Sequence, residues 1–373
     1  MGLKQKEDWD LQVGLAYSLV DKTLNIMLKE ILAQRRWKLL DIYKSDEECF
    51  ANLSIGHANL LIIDDTILAP GSFILREQLF REIPCLTPTI VICSEHNRPD
   101  MLCMRSMGRP AIVNKPLTPQ KFLDAFDDLI KLWNEKSFRS LREAATQLTK
   151  GNKAVAFKHI TEEVRKGTAN SLASTFLALH YRNEGDLVMT EKVLIKAFVA
   201  GQHDMNIILP LIDLYLFGGS PNKALMLIAK ANREYENPNF LCIDAIQAHL
   251  MLNELQESVI YFQQMIDNEY YANVAKHYLP RILYSSGLID AFDKAIRFRI
   301  EKFDEYQRAW HTLSDQDAER RSKQYQVNLS TKKQKDRELR SRAASKREHI
   351  SKETTLDQSL YQEVGKPLFR KDA

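Results

Sequence analysis

Catalytic signatures are what this sequence most conspicuously lacks. No HExxH, GxSxG, P-loop or GxGxxG motif occurs in its 373 residues, and no Cys/His pair has a recognisable catalytic context. An autonomous enzyme is therefore not expected. The five cysteines, Cys49, Cys85, Cys93, Cys103 and Cys242, are odd in number and form no CxxC. That pattern argues against a disulfide framework or a zinc knuckle and fits a reducing cytoplasm. Long apolar runs are missing too. Met205 to Phe217 is interrupted by Pro210 and Asp213 and falls short of the roughly 20 residues that span a bilayer. The opening MGLKQKEDWD puts charges where a signal peptide needs its apolar run, and Lys6 stands where a myristoylation signature wants Ser or Thr, so no membrane attachment is expected.

Strong charge of one sign is absent from the chain as a whole, whose formal net charge is +3, but not from its end. Residues 318–352 hold twelve basic and four acidic residues, so the remainder is mildly acidic. Only Tyr325 stands near that basic stretch as an aromatic that could stack on a base, and no heptad runs through it. The tail, residues 314–373, reads as a solvated helix or disordered arm, with nucleic-acid binding a less favoured alternative.

The first 135 residues alternate short apolar runs with amphipathic segments, the pattern of a parallel sheet covered by helices. The expected strands are Leu15 to Val20, Leu39 to Tyr43, Leu60 to Ile63, Thr89 to Ile92 and Ala111 to Val113. Between them, helical spacing relates Leu24, Met27, Leu28, Ile31 and Leu32, and later Phe122, Leu123, Phe126, Leu129, Ile130 and Trp133. Thr118 before Pro119 is a capped helix start. Five strands and five helices predict a doubly wound sheet, in which ligands sit beyond the carboxyl ends of the strands. The residues just after the expected strands are Asp21 and Lys22, Asp64 and Asp65, Cys93 and Ser94, then Lys115 with Pro116.

On those residues, and on the stretches YSLVDK, LLIIDD, PTIVICSE and AIVNKP, residues 11–135 resemble the receiver domain of response regulators, a flavodoxin-like fold. The resemblance implies that Asp64 accepts a phosphoryl group from a sensor histidine kinase or phosphotransfer protein. It further implies that Asp21 and Asp64 hold Mg²⁺, that Lys115 contacts the phosphoryl group across a cis Lys115–Pro116 bond, and that Cys93 and Ser94 occupy the place of the family's hydroxyl. Lys22 stands where a second metal-binding acid is usual, which makes Mg²⁺ binding weak or absent. Acidic residues after strands also cap helices or face solvent, so a phosphorylation-independent scaffold is the alternative.

A period of 34 organises the middle of the chain. Gly151, Gly185, Gly219, Asn253 and Gly287 recur at that interval. Five places later stand Ala156, Thr190, Ala224, Ser258 and Phe292, and nine places later Ile160, Leu194, Ile228, Phe262 and Ile296. Small residues at helix crossings and large ones in a shared core are what stacked helix pairs need. Residues 138–298 thus resemble tetratricopeptide repeats, and residues 136–313 are expected to form an α-solenoid of about five helix pairs, closed by a helix bearing Ile300, Phe303, Trp310 and Leu313. The absence of Gly and Pro from residues 120–150 predicts one long helix, or two nearly coaxial ones, joining the halves. In the tetratricopeptide family the first helices of the repeats line a peptide-binding groove, which would place Arg142, Phe176, Arg182, Asp213, Asp244, Gln247, Arg281 and Tyr284 against a protein target. Taken together, the expected fold class is α/β plus all-α, and the expected function is that of a bacterial response regulator joining a receiver to tetratricopeptide repeats, a two-component signal-transduction adaptor.

Overall fold

The computed structural model describes residues 12–16, 22–34, 38–43, 60–64, 71–82, 84–93, 98–167 and 170–297. Strands β1 (Gln12–Ala16), β2 (Lys38–Tyr43), β3 (Leu60–Asp64), β4 (Thr89–Cys93) and β5 (Ala111–Asn114) pair in the order β2-β1-β3-β4-β5, each pair parallel. Helix α1 (Lys22–Gln34) follows β1, α2 (Gly71–Leu79) follows β3, α3 (Arg98–Ser106) follows β4 and α4 (Pro119–Asn134) follows β5. Residues Leu60 to Ile63 and Ile90 to Cys93 are all buried, and strands covered on both faces read as continuous apolar runs rather than alternating ones. Phe122, Phe126, Leu129 and Trp133 form the buried face of α4, whose Thr118 side chain accepts from the Lys121 amide ahead of Pro119.

The expected fold class needs correction. About three quarters of the structure is helix, and the parallel core whose side chains are described is a small one of three strands, β3, β4 and β5. Strands β1 and β2 extend its edge through backbone pairing. The expected flavodoxin-like receiver, a five-stranded doubly wound domain ahead of a solenoid, is not what forms. The first strand runs over Gln12–Ala16, with Val13 to Ala16 in register with Leu60 to Ile63, and residues 17–20 of its expected extent lie outside the described residues.

Helices α5 (Lys136–Thr149) and α6 (Lys153–Lys166) come next in the chain. The long joining helix is interrupted at Glu135, which is extended at φ −60° and ψ 153°. The reason lies in its neighbours: Trp133 and Phe138 are 1% and 2% exposed, with ring centroids 5.1 Å apart. On one continuous helix residues five apart point about 140° away from each other, so a break is what lets both rings bury. Elements α7 (Ser171–Asn183), α8 (Leu187–Val199), α9 (Met205–Phe217), α10 (Pro221–Glu234), α11 (Cys242–Met251), α12 (Leu255–Asp267), α13 (Glu269–His277), α14 (Leu279–Ser286) and α15 (Ile289–Arg297) follow. The chain divides into two compact units, one of residues 1–177 with 204–207 and one of residues 178–203 with 208–373.

Within these helices the 34-residue period has a backbone cause. Gly151, Gly185, Gly219, Asn253 and Gly287 all have positive φ, between 61° and 79°. Each ends a helix in the left-handed conformation, and the next residue's amide bonds the carbonyl five places back: Asn152 to Gln147, Asp186 to Tyr181, Ser220 to Tyr215, Glu254 to His249 and Leu288 to Leu283. That 6→1 bond is the Schellman closure, which turns the chain into the next helix. The small and large positions downstream of the turns are buried in every case. Phe292, the large residue at the fifth small position, meets Phe262 edge-on, with centroids 5.0 Å apart. The fit to a solenoid is loose all the same: Pro238 precedes a 3₁₀ turn at Asn239–Leu241, and residues 269–286 form two short helices rather than one. The closing helix with Ile300 and Trp310 and the basic tail lie outside the described residues.

A Cβ added at Gly219 meets nothing within 4 Å, so its φ of +72° alone sets the cost of a side chain. Gly219→Ala is expected to destabilise by about 1 kcal/mol and Asn253→Gly to stabilise by a smaller amount. Both effects are read as shifts of the urea midpoint at unchanged slope.

Candidate functional site

Asp64 closes β3, Cys93 closes β4, and Asn114 closes β5 immediately before Lys115. Parallel pairing brings these carboxyl ends to one edge of the sheet, with Cys93 in register with Asn114. Strands β3 and β5 flank β4 and so lie about 10 Å apart, a gap that takes a long side chain to cross. Lys115 crosses it: its Nζ lies 2.6 Å from Asp64 Oδ1. The carboxylate is 2% exposed and the lysine side chain 23%, so the pair sits at a mouth, with the acid inside and the cation toward solvent.

Short bonds hold the lysine in place. Its amide donates to the Cys93 carbonyl at 2.8 Å, and the Lys115–Pro116 peptide is cis, as the resemblance implied. The Lys121 ammonium donates to the Pro116 carbonyl at 3.2 Å. The Cys93 thiol, itself fully buried, donates to Asn114 Oδ1 at 3.3 Å. A carboxylate nucleophile beside a fixed ammonium is suited to taking up an electrophile whose departing charge the ammonium can offset. Of the other residues expected here, Asp21 and Ser94 lie outside the described residues, and Lys22 opens α1. Among the described residues no group of three or more His, Cys, Asp or Glu is placed to hold a metal ion, and the expected Mg²⁺ pair depends on Asp21.

The residues expected to line a groove are distributed differently. Phe176 belongs to the core, fully buried and stacked on Phe157 with centroids 5.0 Å apart, and Asp244 is 2% exposed. Both are corrected from groove to interior, because counting back from a turn fixes a residue's height on a helix and not its face. Arg182 and Asp213 are half-buried and form an ion pair, with the guanidinium also over the Phe217 ring. Gln247 is half-buried, Arg142 bonds Asn134 at 2.6 Å, and the side chains of Arg281 and Tyr284 lie outside what is described.

Two features escape the sequence reading. Asn114 directly follows the expected strand end at Val113, as Cys93 follows Ile92, so the same signal was there for it, and attention passed to Lys115 instead. The second is a polar cluster around Asp204, assembled from residues far apart in the chain and without any local signal. Ser171 Oγ donates to the Asp204 carboxylate, Asn206 Nδ2 donates to Ser171 Oγ at 3.0 Å, and the Gly108 amide donates to Asn206 Oδ1 at 2.7 Å. Burial pushes the Asp204 carboxyl above its usual range, against the opposing pull of Ser171, Arg109 and Asn206. Burial likewise raises the Cys85 and Cys103 thiols, which leaves both poor nucleophiles.

Because Asp204 holds its proton more tightly in the folded chain than in the unfolded one, its contribution to stability is fully present below the ordinary carboxylate pKa and is lost as pH rises through the folded value. Asp204→Asn keeps an oxygen to accept from Ser171 and removes the titration. The variant is expected to unfold at higher urea than wild type at pH 7, with the difference shrinking as pH falls into the carboxyl range.

No protein-family model, curated protein or solved structure matches this chain. Among the described residues no helix is long and apolar enough to cross a membrane.

Proposed function

We propose that the chain is a signal-transduction adaptor that accepts a phosphoryl group on Asp64 and passes the event to a protein target through its helical repeats. The observation that carries this reading is the 2.6 Å contact of Lys115 Nζ with Asp64 Oδ1 at the carboxyl edge of parallel strands. In the transfer, a carboxylate oxygen of Asp64 attacks phosphorus, the bond from phosphorus to the donor breaks, and the donor leaves with the electron pair. An acyl phosphate results. Lys115 would shift from the carboxylate to the phosphoryl oxygens, keeping one fixed positive charge beside the charge that grows there. A divalent cation such as Mg²⁺ would offset the remaining charge when bound.

Donors in this reading are a sensor histidine kinase or a phosphotransfer protein. The target binds the repeats, where Arg182, Asp213 and Gln247 offer polar, half-buried contacts of the kind that specify a ligand segment. A cytoplasmic setting is supported by Cys85, Cys93, Cys103 and Cys242 standing as thiols rather than disulfides. The competing reading, in which the Asp64 and Lys115 pair only holds the sheet edge together and the chain is a phosphorylation-independent scaffold, predicts a different outcome in one experiment. Full-length chain is incubated with a small acyl phosphate donor and Mg²⁺ and weighed intact. Wild type is expected to gain the mass of one phosphoryl group, and Asp64→Ala none. Equal uptake by both, or uptake by neither while Lys115→Ala still destabilises the fold, favours the scaffold.

A further inference from the structure

We propose that Arg109 is a proton-operated switch, resting on the Phe138 ring while the Asp204 carboxyl is neutral and moving to that carboxyl when it ionises. Gly108, Arg109, Phe138, Ser171 and the segment Asp204 to Ile207 all belong to one compact unit of the chain. Within it the Gly108 amide fixes the direction of a chain of hydrogen bonds. That amide can only donate, so the Asn206 oxygen meets it, at 2.7 Å, and Asn206 Nδ2 is left to donate to Ser171 Oγ at 3.0 Å. The single hydroxyl hydrogen of Ser171 then goes to Asp204 Oδ2. Thr175 Oγ1 donates to the Asn206 carbonyl and holds that residue in place. Ser171, Thr175 and Asn206 are all buried. With Oδ2 committed as an acceptor, the carboxyl proton has only Oδ1 to sit on.

Asp204 Oδ1 is closed off from water and makes no hydrogen bond, a position that a neutral carboxyl tolerates far better than a charged one. Helix α7 presents Ser171 to this carboxyl and Asn206 presents amides, none of them charged. The turn ahead of β5 presents Arg109, the one charged group among the described residues that acts on it. Arg109 is exposed and holds no carboxylate among the described residues. Its Cζ stands 6.0 Å from the centre of the Phe138 ring, the outer limit of a cation–π contact. Its backbone is left-handed at φ 51°, next to Gly108 at 68°, a conformation uncommon for a residue with a side chain and held here by the Gly108 bond to Asn206. Ionisation puts charge on Oδ1, and a charge-assisted bond from the guanidinium then outweighs a ring contact at its limit. Burial pushes the Asp204 carboxyl above its usual range, which moves the exchange to higher pH than an exposed aspartate would set. Phe138 packs on Trp133 across the extended Glu135, so the exchange takes a cation away from the ring pair where α4 meets α5. No step of it draws on chemistry at Asp64.

The test labels the full-length chain with 5-fluorotryptophan and follows its four tryptophan resonances by fluorine NMR from acid to mildly alkaline pH, with that of Trp133 assigned by Trp133→Phe. The Trp133 resonance is expected to shift by more than its line width in a single step centred above the ordinary carboxyl range. That step is expected to be lost in Asp204→Asn and equally in Arg109→Asn, while Arg109→Lys, which keeps the cation, retains it. Arg109 is exposed and asparagine accepts a left-handed backbone, so Arg109→Asn should fold as wild type does. Should either asparagine variant fail to fold, Arg109→Gln or Asp204→Ser takes its place with the same expected loss. The proposal is overturned if wild type shows no step, if the step survives without the Asp204 carboxyl, so that another group titrates, or if it survives without the Arg109 cation, so that Asp204 titrates and Arg109 does not move.

Discussion

Lys115 reaching across the end of β4 to a buried carboxylate is the contact on which the sheet edge depends. A carboxylate at 2% exposure has given up most of its hydration, and the Lys115 ammonium stands against it in place of water. Its position follows from parallel pairing, which lines up the ends of β3, β4 and β5 and leaves Asp64 at the tip of β3 after a run of buried aliphatic side chains and Asn114 at the tip of β5. The lysine lies nearer solvent than the acid, so it can change partner at little cost while the acid cannot. The proposed phosphoryl transfer would draw on that asymmetry.

A different constraint organises the helices after β5. Five backbone positions 34 residues apart adopt positive φ, and four are glycine. Those turns set where each helix ends, and the buried small and large residues five and nine places later set how the next helix packs. Phe292 shows that the rule is volumetric: a large ring is accepted at a small position where Phe262 presents an edge to it. Departures from regularity likewise have local causes, Pro238 before its 3₁₀ turn and the burial of both Trp133 and Phe138 around the extended Glu135.

Much of this was legible in the residues alone, and what was not has physical reasons. Continuous runs such as Leu60 to Ile63 and Ile90 to Ile92 mark buried parallel strands, and the Thr118-Pro119 start marks a helix, because each signal is local. The first strand starts at Gln12 rather than Leu15 because its extent is set by pairing with β3, a non-local property. Fold class was misjudged because alternation of apolar runs says little about how much of the chain ends as sheet. Phe176 and Asp244 were assigned to a surface they do not occupy, since both faces of a helix inside an array are apolar enough to hide which one is inward. The Asp204 cluster joins residues from three separate stretches, and no spacing rule reaches that far.

Trapping the phosphoryl group chemically tests the central claim most directly. Borohydride reduces an acyl phosphate, formed on an aspartyl side chain, to homoserine, so peptide mapping after treatment with phosphodonor and borohydride reports which carboxylate was modified. Conversion at position 64 is the predicted result. Conversion at another aspartate, or at none under conditions in which a known acyl phosphate is reduced, would contradict it.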